Sequence, residues 1–323
     1  MRVTALAGGV GGAKLAHGLY QTLQPNELTV IANTGDDFEH LGLYISPDVD
    51  TLCYTLGGLV NSETGWGLKD ESWNTLEAIS ALGGPDWFRL GDRDLATHLE
   101  RTRRMAQGQA HSEITAAFCA LWGVEASILP MSDQPVRTLV ETEQGWMGFQ
   151  EYFVRHRFQP RVKGFSFSGI EKARPAPGVL DAIAESDFVV FCPSNPWVSI
   201  DPILDVPGIR ESLIPKPIMA LSPVIGGRVV KGPAAKMFTE LGIEPSALAV
   251  AEHYTGLVNA LMIDAADKGQ KPAIEALGIM TLVSDILMRD NEDRQRLATE
   301  VIALSETHFS SNKTSNQGKP SSA

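Results

Sequence analysis

Short apolar runs punctuate the chain at Val3–Ala7, Leu28–Ala32, Phe188–Cys192, Ile218–Leu221 and Leu248–Ala251. Continuous runs of this length suit strands buried on both faces of a sheet. Most are followed by loops rich in Gly, Pro, Asn or Asp, and several of those loops lead into helical patterns. Over Gly12–Leu23, Leu15, Leu19 and Leu23 recur at i, i+4 and i+8, a single helical stripe. Strand, helix and strand joined by short links predict parallel pairing through a right-handed crossover. Repeated, the pattern predicts an α/β fold: a doubly wound, Rossmann-like, mostly parallel sheet whose ligand cleft opens at the carboxyl ends of its strands.

Between about residues 56 and 123 the strand signal vanishes. Trp73–Leu82, Asp94–Met105 and Ser112–Leu121 read as helices, which predicts a helical insertion beside the cleft. Residues 126–170 turn β-like again, with Ile128–Leu129, Thr138–Val140 and Gly148–Phe149 near turn residues. The pattern stops around Ser305. One α/β domain over residues 1–305 is therefore expected, followed by a Ser-, Asn-, Lys- and Gly-rich tail, 306–323, expected to be disordered.

Composition narrows the partners. The chain has 323 residues, is 43% hydrophobic and 20% charged, and carries a formal charge of −12, which argues against nucleic acid and against anionic membranes as partners. Three scattered cysteines form no CxxC, and no apolar run approaches the ~20 residues of a membrane span. Gly8–Gly12 and Lys14 interrupt any signal-peptide core, so a cytoplasmic protein is expected. The exposed helical insertion makes a homodimer the candidate assembly. The acidic balance also sets a problem, because an anionic ligand would need local donors, cations or a metal.

The first run leads into Gly8-Gly9-Val10-Gly11-Gly12-Ala13-Lys14. A strand that breaks on glycines and enters a helix offers backbone N–H groups and a partial positive charge to phosphate. Lys14 could add a full charge. The third glycine of a dinucleotide fingerprint is replaced by Lys14, and no Gly-Lys-Ser/Thr follows, so neither motif is complete. The second run ends in Asn33-Thr34-Gly35-Asp36-Asp37, and Ser46-Pro47-Asp48-Val49-Asp50-Thr51 comes soon after. Carboxylates facing one cleft suit Mg²⁺ shared with substrate phosphates. Trp66 and Trp73 could offer flat faces to an aromatic ligand, and Arg89, beside Trp87 and Phe88, suits a planar, partly anionic ring. Pro193-Ser194-Asn195-Pro196 forms a polar turn at the predicted cleft. Ser222–Arg228, continuing to Lys231-Gly232-Pro233, repeats that grammar with two more cations. The basic cluster Arg155, His156, Arg157, Arg161 and Lys163 reads as a solvated strand face.

These residues resemble the 2-phospho-L-lactate transferase family. The matching strings are Gly8–Lys14, Ser46–Thr51, Leu90-Gly91-Asp92-Arg93-Asp94-Leu95-Ala96-Thr97-His98, Leu129-Pro130-Met131-Ser132-Asp133, Pro193–Pro196, Ser222–Gly227 and Val250-Ala251-Glu252, spread in family order over residues 1 to about 305. The string around Gly91 is the most specific. The resemblance implies Mg²⁺, an acceptor that is the deazaflavin Fo, and a guanosine diphosphate-linked donor carrying a three-carbon phospho-acid. The terminal hydroxyl of Fo would attack the phosphorus bearing the acid, and GMP would leave. Asp50 and Arg89 are the implied Fo contacts, with Thr51 beside them. Gly9, Gly11 and Gly12, with Ser194 and Asn195, would hold the donor, and Lys14 would help to neutralise it. Asp36, Asp37 and Asp50 are the candidate metal ligands, with Asp50 and Asp37 as the catalytic candidates; Asp50 could accept the hydroxyl proton. Which of them binds metal and which acts as base stays open, as does the acid carried: phospholactate, phosphoenolpyruvate or phosphoglycerate. His111 stands where the family pattern has an apolar residue, and only surface packing is expected to change. A related family with the same glycine loop, whose members bind nucleotide sugars and regulate, is the alternative.

Overall fold

The apolar runs become strands of a seven-stranded, all-parallel sheet: β1 (Val3–Ala7), β2 (Leu28–Ala32), β3 (Ser127–Pro130), β4 (Phe188–Phe191), β5 (Ile218–Leu221), β6 (Ala260–Asp264) and β7 (Met280–Ser284). The computed structural model describes residues 1–229 and 234–309. The strand order is β7-β6-β5-β4-β1-β2-β3. The chain therefore winds outward from β1 through β2 and β3, then returns to β4 on the other flank and winds away again. Val3 pairs with Leu28 on one side and Phe188 on the other, so the switch point lies between β1 and β4. In an open α/β sheet a ligand crevice forms there.

Alternate side chains feed two cores. Leu6, Ile31, Val189 and Phe191 pack on one face, and Ala5, Ala7, Val30 and Val190 on the other, all buried. The second face is covered by α1 (Gly9–Thr22), by α2 (Pro47–Leu56) and by the helix Asn291–Phe309. Burial of each large aliphatic side chain contributes roughly 1.5–3 kcal/mol, and Leu15 and Leu19 of the predicted stripe are fully buried.

The helical insertion comprises the end of α2, α3 (Asn74–Ala81), α4 (Asp92–Ala106) and α5 (His111–Leu121). A small hairpin, Phe38–His40 with Leu43–Ile45, precedes it. A second, antiparallel sheet joins Gly145–Gly148, Arg137–Thr142 and Val162–Ser168 beyond β3.

Two expectations are corrected. Leu248–Ala251 lies within a helix, Ala247–His253, whose first turn is capped by the Ser246 hydroxyl accepting from the Ala249 N–H at 3.0 Å. A run of four apolar residues carries no period, and the serine cap decides it. The pattern also does not stop at Ser305, since the last helix runs to Phe309, where the Phe309 ring lies 5.7 Å from that of Phe188. The rest of the predicted tail, 310–323, lies outside the described residues, as does Lys231. Among the described residues no helix is long and apolar enough to cross a membrane.

Candidate active site

At the switch point a cavity of about 1240 Å³ opens, lined by Gly8, Gly9, Val10, Gly11 and Lys14 from β1–α1. Gly8 is extended and Gly9 takes a left-handed φ of +65°, which starts the helix without a side-chain cap. The Gly8 N–H donates to Ser194 Oγ at 3.2 Å and the Ser194 hydroxyl donates to the Gly8 carbonyl at 2.8 Å. The Gly9 N–H donates to Asp48 Oδ1 at 2.8 Å. In helical geometry the next amides, of Val10 and Gly11, have no acceptor four residues back and point out of the helix end. The other glycines have a packing role. A Cβ at Gly11 would stand 2.5 Å from the Pro193 carbonyl oxygen, and one at Gly12 would stand 2.6 Å from Ser194 Oγ. Gly12 is buried and does not line the cavity.

The carboxylates divide into three environments. Asp36 and Asp48 line the cavity. Asp48 accepts from Gly9 and, at 2.9 Å, from Asn33 Nδ2, while Asp36 Oδ1 is buried with no hydrogen-bond partner. Burial pushes the Asp48 carboxyl up to about 6, against the pull of its two donors. Asp36 is raised well above the usual carboxylate range by burial and then by its neighbours Asp48 and Asp37. The two donors to Asp48, a backbone amide and a carboxamide, are both uncharged. Two such carboxylates draw a positive charge between them.

Asp37 differs from its expected role. It does not line the cavity: Ser46 Oγ donates to Oδ1 at 2.7 Å and the Tyr44 hydroxyl to Oδ2 at 2.8 Å. Burial lifts its carboxyl to about 7, with Arg137 and those two hydroxyls opposing. His111 Nδ1 lies 3.8 Å from it, and the ring is buried and held neutral by that burial and by Arg101 and Arg137. His111 is thus an interior residue rather than a surface one.

Asp50, in the first turn of α2, lines the cavity but already has a charged partner. Arg101 of α4 clamps it in a bidentate pair, one arm at 2.9 Å. Thr51 lines the cavity beside it. Among the described residues no group of three or more His, Cys, Asp or Glu side chains is arranged to hold a metal ion. Asp36 and Asp48 alone fit a cation shared with a ligand, the mode in which Mg²⁺ keeps few protein ligands.

Cations and rings line the walls. Lys14 Nζ donates to the Met288 carbonyl at 2.6 Å. Arg89 stacks on Trp73, 4.3 Å from the ring centre, and lines the cavity with Trp66, Trp87 and Phe88. Trp87 and Phe88 form a cluster with Phe38 and His40. Trp73 itself does not line the cavity. Opposite, Asn195 lines the cavity and caps the Pro196–Ile200 turn, its Oδ1 accepting from the Trp197 N–H at 3.1 Å. Ser222, Pro223 and Ile225 also line it, and Arg228 does not. Of the basic cluster only Lys163 lies on a strand, exposed in Val162–Ser168. Arg155 and Arg157 lie on and after the turn Glu151–Arg155 and line the cavity with Phe149, Phe153 and Phe158, whose rings stack at 5.7 and 6.0 Å.

The family model described as 2-phospho-L-lactate transferase CofD matches residues 3–302. A phosphoenolpyruvate transferase of Kitasatospora aureofaciens is 45% identical over 315 residues, covering 95% of this chain and 98% of its own. A 2-phospho-L-lactate transferase of Methanosarcina acetivorans is 40% identical over 302 residues, covering 94% of this chain and 98% of its own. The crystal structure of protein BH3568 from Bacillus halodurans shares the fold at a TM-score of 0.63 and 16% identity, covering 93% of this chain and 99% of that one.

Proposed function

Because the chain belongs to the 2-phospho-L-lactate transferase family, we propose that it moves a phospho-organic-acid group from a guanosine diphosphate-linked donor to the terminal hydroxyl of the deazaflavin Fo, releasing GMP. The observation that supports this most is a single cavity holding a helix-end amide cluster, the carboxylate pair Asp36 and Asp48, an Arg-paired Asp50 and an aromatic wall bearing Arg89. Its volume exceeds that of an ordinary single-ligand pocket, ~300–1,000 Å³, and suits two substrates together.

Phosphoryl transfer asks for positioning and charge neutralisation more than covalent work. The Val10 and Gly11 amides and Lys14 meet the diphosphate of the donor, with Ser194 bracing the loop that presents them. Asp36 and Asp48 would hold Mg²⁺, which when bound would add its charge to that of Lys14 in neutralising the diphosphate. The ring of Fo lies on the Trp66–Trp87–Phe88 wall, with Arg89 against its polar edge. Asp50 accepts the hydrogen bond of the attacking hydroxyl. The hydroxyl oxygen bonds to the phosphorus carrying the acid, the bond from that phosphorus to GMP breaks with its electron pair going to GMP, and Asp50 receives the proton. A loose transition state keeps the alcohol largely protonated until late, so the step asks little of the proton acceptor. Asp37 takes no part, because it does not line the cavity.

The test is to incubate the protein with Fo, Mg²⁺ and each of the three guanylated donors, then to measure GMP and the mass of the Fo product. Equal amounts of GMP and of Fo bearing one phospho-acid support the reading; GMP without an Fo adduct contradicts it.

A further inference from the structure

The string from Leu90 to His98 is the most specific in the sequence, yet most of it does not face the cavity. Asp92 is accounted for by α3: its carboxylate accepts from the Thr75 amide at 2.9 Å and from the Ser72 hydroxyl at 2.6 Å. Asp94, His98 and, one turn further, Arg101 fall at i, i+4 and i+7 of α4. They therefore share a face, which is largely buried against α2, with Asp94 and His98 also at the cavity lining and Arg101 behind them.

Arg101 is 1% exposed and its guanidinium is bound on three sides. Both terminal nitrogens grip Asp50, one of them also reaches His98 Nδ1 at 3.2 Å, and the Phe118 ring lies 5.8 Å away. Arginine has only donors, so His98 Nδ1 accepts, which puts the ring proton on Nε2. Nε2 faces Asp94 Oδ1 at 3.4 Å, and the Tyr54 hydroxyl donates to the same oxygen at 2.7 Å. A chain of contacts thus runs from Tyr54 through Asp94, His98 and Arg101 to Asp50; Tyr54, Asp94 and His98 line the cavity as well, and the His98 Nε2–Asp94 link is an approach without a hydrogen bond.

A buried ion pair is seldom the most stable filling for a core. Apolar residues of equal volume often match or exceed it, and here Arg101 Nε is left buried without a partner. The arrangement is understandable if its product is geometry. A bidentate fork fixes the plane of a carboxylate as well as its position. With each oxygen of Asp50 held by one terminal nitrogen of Arg101, the carboxylate is fixed in place at the cavity wall.

We propose that Arg101 is a positioning residue of the transfer reaction: held by the His98–Asp94–Tyr54 chain, it sets the orientation in which Asp50 meets the acceptor hydroxyl. This rests on the function proposed above. It accounts for Asp94 and His98 of the Leu90–His98 string as supports for one carboxylate on a neighbouring helix.

The experiment compares Arg101→Lys, Asp50→Asn, Arg101→Met and the double variant Asp50→Asn/Arg101→Met with the parent. Each is measured for thermal midpoint, donor affinity by calorimetry, and kcat and KM for Fo per folded molecule. Arg101→Lys keeps the charge and loses the fork, and kcat is expected to fall by about 10²-fold with donor affinity within twofold of the parent. Arg101→Met leaves Asp50 buried and alone and is expected to melt early. The double variant removes both charges and is expected to regain the lost midpoint and to be no slower than Asp50→Asn by itself. Arg101→Lys with kcat within threefold of the parent overturns the proposal. So does a double variant that is slower again than Asp50→Asn by the full Arg101 effect. A parent that transfers nothing to Fo from any donor overturns the proposed function, a result distinct from a working parent whose kcat ignores Arg101.

Discussion

Replacing Asp48 by asparagine should make the metal-free protein more stable at alkaline pH while removing its response to Mg²⁺. Burial raises the Asp48 carboxyl from 3.8 to about 6, so its ionisation in the folded state costs on the order of 3 kcal/mol. The sign follows from linkage. Between about pH 4 and pH 6 the folded state binds more protons than the unfolded one, so stability falls as pH rises, and above pH 6 the full penalty is in place. Asp36 and Asp37 are raised as well and act in the same direction. His17, His40 and His111 are held neutral, chiefly by burial, and oppose it under acid conditions. The readout is therefore the difference between variant and parent. The substituted side chain would keep the Gly9 bond through its amide oxygen but would set its NH₂ group against Asn33 Nδ2, a loss of about 1 kcal/mol. The net gain at pH 8 is about 2 kcal/mol, or roughly 3 °C for ~300 folded residues. Thermal melts from pH 5 to pH 8, with and without Mg²⁺, measure it. For the parent, Mg²⁺ should raise the midpoint at pH 8 and hardly at pH 5, since protonated carboxyls do not hold it. A variant that melts below the parent at pH 8 without Mg²⁺, or that keeps the full response to Mg²⁺, refutes the reasoning.

Arg89→Ala removes the cation stacked on Trp73 at the aromatic wall; the KM for Fo should rise about tenfold, the scale of one cation–π or charged contact, with donor affinity unchanged in calorimetry. Lys14→Ala should weaken donor binding by about tenfold or more while leaving Fo binding alone, as paired titrations would reveal. Gly11→Ala places a methyl 2.5 Å from the Pro193 carbonyl, so it should lower stability by about 1–3 kcal/mol and weaken donor binding together, both seen by melting and calorimetry of one preparation.

Several features were legible in the sequence because local chemistry decides them. β1, β2 and β5 are apolar enough to be buried on both faces, and Gly8–Gly12 can only be a tight entry into α1. The run Leu248–Ala251 has the same composition, but the Ser246 cap and the following Glu252 and His253 make it a helix. β6 and β7 carry a weaker local signal, since Ala260–Asp264 ends on an acid and the edge strand leaves Met280 and Val283 exposed. Among the carboxylates the residue types were readable and their directions were not. The hairpin Phe38–Ile45 brings Tyr44 back over Asp37 and so removes it from the cavity, whereas Pro47 at the start of α2 turns Asp48 toward Gly9. Asp48 was visible in the Ser46–Thr51 string, but nothing local distinguished it from Asp50. The pairing of Asp50 with Arg101, 51 residues away, depends on how α4 crosses α2. Arg155 and Arg157 read locally as part of a basic strand face, whereas a single irregular turn before Val162–Ser168 places them at the cavity.

The central claim is that the diphosphate of a guanylated donor sits at the entry to α1, above Asp36 and Asp48, with the acid-bearing phosphorus turned toward Asp50. A crystal structure with donor, Mg²⁺ and an Fo analogue lacking the terminal hydroxyl tests it most directly. The account predicts phosphate oxygens on the Val10 and Gly11 amides and near Lys14, the metal on Asp36 and Asp48, and the deazaflavin beside Arg89. A diphosphate bound elsewhere in the cavity, against Arg155 and Arg157 and out of reach of residues 8–14, would contradict it.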